Sequence, residues 1–125
     1  MAGSWTEFTK DSGMPPNQLS LIEKHSAVFT ADASNAAIPA ATRFIKGSFL
    51  CGFGVLFGDT PPDSLEITLT DEDGLTIATA TLSASGRGTL TTPVPLLNEI
   101  NIALAGNTTN SASGTFSLYF LNNMV

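Results

Sequence analysis

Cysteine occurs once, at Cys51, so no disulfide can form within the chain and no set of thiolates can hold a zinc ion. Histidine also occurs once, at His25, which excludes a multi-histidine metal site. Basic residues are scarce: five Lys and Arg stand against eleven Asp and Glu, for a net charge of −6. Nucleic-acid binding needs a basic stripe to meet phosphates, and these cations are scattered along the sequence. Charged residues total only 13%, about half the usual share. The longest apolar stretch, residues 47–58, is shorter than the ~20 residues of a helical membrane span. No secretory hydrophobic segment and no helical period longer than a turn occurs. These absences predict a chain that is made in the cytoplasm and stays soluble, or leaves the cell by a route that no sequence signal shows, with neither nucleic acid nor membrane among its partners.

What is present is apolar. Hydrophobic residues make up 42% of the 125, eight Phe stand against one Trp and one Tyr, and the mean hydropathy is +0.20. That length suits one domain, and that composition suits one that buries much of itself and part of its surface against a partner.

The clearest pattern runs from Ser64 to Leu82. Leu65, Ile67 and Leu69 alternate with Glu66, Thr68 and Thr70, a period of two that puts the apolar side chains on one strand face. Asp71-Glu72-Asp73-Gly74 interrupts it, and a second run, Leu75 to Leu82, follows at once. Asp-Gly between two such runs predicts a hairpin whose Gly74 takes positive φ. Further strands are expected at 26–31, 42–46, 48–57, 89–92, 100–105 and 116–121. Along residues 48–57 the alternation puts Phe49, Cys51, Phe53, Val55 and Phe57 on one face, and Leu50, Gly52, Gly54 and Leu56 on the other. Pro93 and Pro95 confine the 89–92 strand to an edge. The predicted core contains Leu65, Ile67, Leu69, Ile100, Ile102, Leu104, Phe116, Leu118 and Phe120. Short strands separated by turn signals, without helices, predict an all-β fold, an antiparallel β-sandwich or jelly roll. It spans residues 23–125 behind an extended N-terminal arm, residues 1–22.

The arm is polar and interrupted by Pro15-Pro16, which rules out a helix there. Ordering it costs about 1–2 kcal/mol per residue of backbone entropy, so its large apolar groups must find partners. Trp5, Phe8 and Leu19 are the expected interface residues, docking the arm on an adjacent subunit in preference to its own domain.

No residues assemble a nucleophile, a base and an orienting group, so an enzyme is not expected and neither is a cofactor. Asp59, Asp63, Asp71, Glu72 and Asp73 lie in two turns that could approach each other around a calcium ion. Asp and Gly are also what tight turns require, and turn chemistry is the preferred reading, with no metal site. His25 lies between Lys24 and Ser26 at a strand entry and reads as a surface or interface residue. Cys51, inside an apolar strand, reads as a buried inert thiol. Residues 83–88, SASGRG, read as a strand connection: they lack the Lys-Ser/Thr ending and following helix of a phosphate loop. Asn107-Thr108-Thr109 matches a glycosylation sequon only by coincidence.

Leu65–Gly74 (LEITLTDEDG), followed by Ile100–Gly106 (INIALAG) and Ser113–Phe120 (SGTFSLYF), resembles small β-sandwich structural proteins of tailed bacteriophages. The shared pattern is a strand ending in Asp-x-Asp-Gly, a later strand ending in a Gly/Asn loop, and a last strand of Gly-Thr-x-x-Leu-Tyr type. It covers roughly residues 47–122 and carries over no functional residues. The resemblance implies a virion component, foremost a head decoration (cement) protein that binds the major capsid protein and copies of itself; closed symmetry, the usual outcome for such small units, makes a trimer or dimer the expected assembly. A tail or fibre component comes next, and a carbohydrate- or host-receptor-binding module is the rival from another class.

Overall fold

The computed structural model describes residues 2–11 and 22–121. All regular structure within them is β, in ten strands that form two antiparallel sheets. The first sheet holds β1 (Ser4–Trp5), β2 (Thr9–Asp11), β3 (Ile22–Thr30), β5 (Ser48–Phe57), β8 (Gly86–Leu96) and β10 (Ser113–Leu121). Its order is β1-β3-β10-β5-β8, with β2 also lying along β3. The second holds β4 (Ala41–Phe44), β6 (Leu65–Thr70), β7 (Thr76–Leu82) and β9 (Glu99–Ala105), in the order β4-β9-β6-β7. The chain is therefore a β-sandwich, as its alternation predicts.

The core lies between the facing sheets. Leu65, Ile67, Leu69, Ile100, Ile102 and Leu104 enter it from the second sheet, and Phe29, Leu50, Phe53, Val55, Phe116, Leu118 and Phe120 from the first. All nine residues expected from alternation are buried. Burying each such side chain contributes about 1.5–3 kcal/mol. The Phe53 and Phe116 rings stack with planes 4° apart, their centroids separated by 6.2 Å.

β5 departs from simple alternation. Its register slips against β8 between Leu50 and Gly52, and its partner β10 slips between Tyr119 and Phe120. The bulge falls at Cys51 and reverses which side chains face inward. Leu50 is fully buried and Phe49 is 48% exposed, so Phe49 does not share a face with Phe53 and Val55. One extra residue in a period-two pattern is enough to produce this exchange. Cys51 itself is half-buried rather than fully buried as expected, and donates to the carbonyl of Tyr119, Sγ to O 3.2 Å; desolvation pushes its pKa up.

β8 is longer than expected and runs through both prolines. Among the described residues its one ladder partner is β5, so both prolines lie on an edge strand, where proline is tolerated. Gly88 faces Phe53 across this pair. A Cβ at Gly88 would overlap the Phe53 ring.

The hairpin turn forms as expected, with Gly74 at φ 81°. Asp71 organises it: its Oδ1 accepts from the backbone N–H groups of Asp73 and Leu75, both at 2.9 Å. Gly74→Val is expected to lower stability by about 1–3 kcal/mol through backbone strain, whereas Asp73→Asn should be nearly neutral. Denaturant midpoints of the two variants check this, and equal losses would contradict it.

Candidate functional site

The two ends of the sandwich differ in kind. One is sealed by three loops: residues 31–40, 58–64 and 106–112. Ala31 N–H donates to Ala112 O at 2.7 Å, Ser111 N–H to Asp32 O at 3.2 Å, and Ser113 N–H to Thr60 O at 2.8 Å. Asp63 ties two of these loops together, accepting from both the side chain and the backbone N–H of Thr108. Those bonds hold its carboxyl below the usual range. Asp32 is lowered in the same way, first by the backbone N–H of Ser34. Asn107 closes the seal, its side-chain nitrogen donating to Ala36 O and Thr109 O, both at 3.0 Å. The amide of the apparent sequon is thus engaged within the loop.

The opposite end carries large exposed apolar side chains. Phe44 ends β4, Phe49 starts β5, Leu97 lies in the β8–β9 turn and Leu75 follows the hairpin turn. Their exposures are 71%, 48%, 67% and 65%. Hydrogen bonds hold these segments beside one another. Ile45 N–H donates to Asn98 O and Gly47 N–H to Leu97 O. Glu72 Oε1 accepts from Leu97 N–H at 3.3 Å and Asn98 N–H at 3.1 Å.

The acidic turns do not converge. Asp63 precedes β6 and Asp71 follows it, so the length of that strand, about 20 Å, lies between the two turns. Among the described residues, Asp71, Glu72 and Asp73 are the one group of three whose carboxylate oxygens lie within 4.8 Å of one another. Asp71 and Glu72 already accept backbone N–H groups there, as turn chemistry requires.

His25, expected at a surface or an interface, is only 6% exposed within the chain itself. It is in phase with Ala27 and Phe29 on β3, so all three point inward. Its ring packs 4.7 Å from that of Phe120. Its Nδ1 accepts from Arg43 Nε at 3.0 Å, and its Nε2 lies 3.5 Å from Glu23 Oε1. Because Arg43 can only donate, Nδ1 is the acceptor and Nε2 carries the proton. Glu23 is held in turn by Lys10 at 3.1 Å. Burial alone would raise the Glu23 carboxyl, but hydrogen bonds from Lys10 and His25 outweigh it and keep it low.

Burial, then the neighbouring Arg43 charge, keeps His25 below its ordinary pKa of 6.5. As pH falls through about 6.5, the ring protonates in the unfolded chain while the folded ring stays neutral. Acid therefore draws the equilibrium toward the unfolded chain. The melting temperature is expected to drop from about pH 7.5 to about pH 5.5, and His25→Gln is expected to flatten that slope. An unchanged slope in the variant would contradict this account.

The rings of Trp5 and Phe8 pack on the core of their own sandwich. Trp5 lies 5.6 Å from Phe29 and 6.1 Å from Phe116, centroid to centroid, and its Nε1 donates to Pro39 O at 2.7 Å. Phe8 lies 6.1 Å from Trp5 and beneath the Arg43 guanidinium at 5.5 Å. A register slip explains how residues three apart share a face. Trp5 pairs with Phe29 and Thr9 with Ser26, so three arm residues oppose two of β3. This bulge turns Phe8 inward beside Trp5. Ser4–Trp5 and Thr9–Asp11 thus lie as short edge strands along β3, whereas Leu19 lies outside the described residues.

Sequence reasoning did not single out Lys10, Glu23 or Arg43, which come from three strands and meet only in the folded chain. The one legible signal was the inward phase of His25 with Ala27 and Phe29. No protein-family model matches the sequence, and a search of curated proteins finds no match.

Proposed function

We propose that this chain is a non-catalytic structural protein of a bacteriophage virion, a head decoration protein that binds the major capsid protein and stabilises the head. The observation that carries this reading is the grouping of Phe44, Phe49, Leu75 and Leu97, all exposed, at one end of the sandwich. Large apolar groups gathered in one place favour a docking surface over scattered surface residues. The sealed loops at the other end provide a rigid base for it. The resemblance of residues 47–122 to phage β-sandwich proteins supplies the partner class, and copies of the same chain supply closed symmetry on the capsid.

The test is cosedimentation of the purified chain with capsids assembled from the major capsid protein of the same genome. Saturable binding at hundreds of copies per particle is expected, and Phe44→Ser combined with Leu97→Ser should abolish it while the chain stays folded. Binding at a handful of copies would point to a tail or fibre component. Binding to glycans but not to capsids would point to the receptor-binding alternative.

A further inference from the structure

Three of the five cations of this acidic chain, Lys10, Arg43 and Lys46, line one cavity. It opens where the β2–β3 edge of the first sheet faces β4 of the second, and its volume is about 490 Å³. That is within the range of small-molecule sites, about 300–1,000 Å³. Phe44, Ile45 and Phe120 supply apolar wall, and Glu23 and His25 complete the polar side.

The charges are not evenly matched. Lys10 is paired with Glu23 at 3.1 Å. Neither Arg43 nor Lys46 has a carboxylate within ion-pair distance among the described residues. Arg43 is held in place from two sides, by its Nε bond to His25 and by its position over Phe8. Because Nε is engaged, the terminal nitrogens remain as a planar pair of donors, the geometry that matches a carboxylate. Glu23 in the same wall repels a dianion more than a monoanion. Aromatic and aliphatic wall beside two unmatched cations suits a ligand with an apolar body and a single negative charge.

We propose that this cavity binds small carboxylates that carry an aromatic or branched aliphatic body, with Arg43 and Lys46 holding the carboxylate and Phe44 and Ile45 covering the body. The cavity shares Phe44 with the proposed docking end, but small-ligand binding can be measured on the free chain, so its failure is distinguishable from a failure to bind capsids.

The test is a titration of the full-length protein with phenylacetate, followed through the His25 ring resonances and the Arg43 side-chain signal in NMR spectra. Acetate, benzyl alcohol and inorganic phosphate are titrated in parallel. Saturable shifts confined to the cavity are expected with phenylacetate, at least tenfold tighter than with any of the other three. Lys46→Gln and Arg43→Gln should each weaken phenylacetate binding fivefold or more. Lys46→Gln leaves the His25–Arg43 bond intact, so it decides the matter if Arg43→Gln disturbs folding. The proposal is overturned if phenylacetate gives no saturable shift, if benzyl alcohol, acetate or phosphate binds as tightly, or if Lys46→Gln binds unchanged.

Discussion

Phe116→Ala is expected to cost the fold about 3–5 kcal/mol, the usual range for removing a buried aromatic ring. Phe116 has no exposed surface and sits in β10, which is flanked by β3 and β5 on its two sides. Its ring meets Phe53 face to face and Trp5 edge-on. Truncation would therefore remove contacts to both neighbours and leave a void that β-sheet backbone cannot collapse into. Domains of this size have about 5–15 kcal/mol of stability in total, so the variant should be close to unfolding at physiological temperature. Urea denaturation checks this, with Phe116→Leu as the milder comparison. A loss below about 1 kcal/mol would mean that the ring is not part of the core.

Deleting residues 1–11 should have the next largest effect. These residues cover Phe29 and Phe116 with Trp5, and they pair along the outer edge of β3. Removing them exposes both the rings and a row of unpaired β3 backbone groups, which is a template for association with other chains. Trp5→Ala alone is expected to cost about 2–4 kcal/mol, since the half-buried ring also loses its bond to Pro39 O. Each kcal/mol lowers the melting temperature of a domain of this size by roughly 3–5 °C. Thermal melts and size-exclusion chromatography measure both effects. If the deleted chain melts like the full one and stays equally dispersed, the arm does not serve its own domain, and docking on an adjacent subunit becomes its main role.

Several features were legible in the residues because they depend on local chemistry. Alternation along β6, β9 and β10 placed nine core side chains, since a strand has a two-residue period wherever it lies. Asp71 to Gly74 announced the hairpin because only certain residues accept positive φ and short side-chain-to-backbone bonds. Pro93 and Pro95 marked an edge because neither has an N–H to donate.

The local patterns failed where one element's register depends on another. The slip at Cys51 exchanges Phe49 for Leu50 on the inner face, and it arises where β5 meets β8 and β10. The slip between Trp5 and Thr9 lets Phe8 face inward, which alternation within the arm would not indicate.

By itself, the sequence determined the β-class of this protein, its hairpin and most of its core, because these follow from the steric needs of each residue and its nearest neighbours. Only the tertiary structure decided that the arm's described residues complete the first sheet. Only it brought Lys10, Glu23, His25 and Arg43 into one cluster and set Phe44, Phe49, Leu75 and Leu97 together at one end. Those outcomes join residues tens of positions apart, and the charge–charge and apolar contacts that define a site depend on distance in space, of which separation along the chain carries no record.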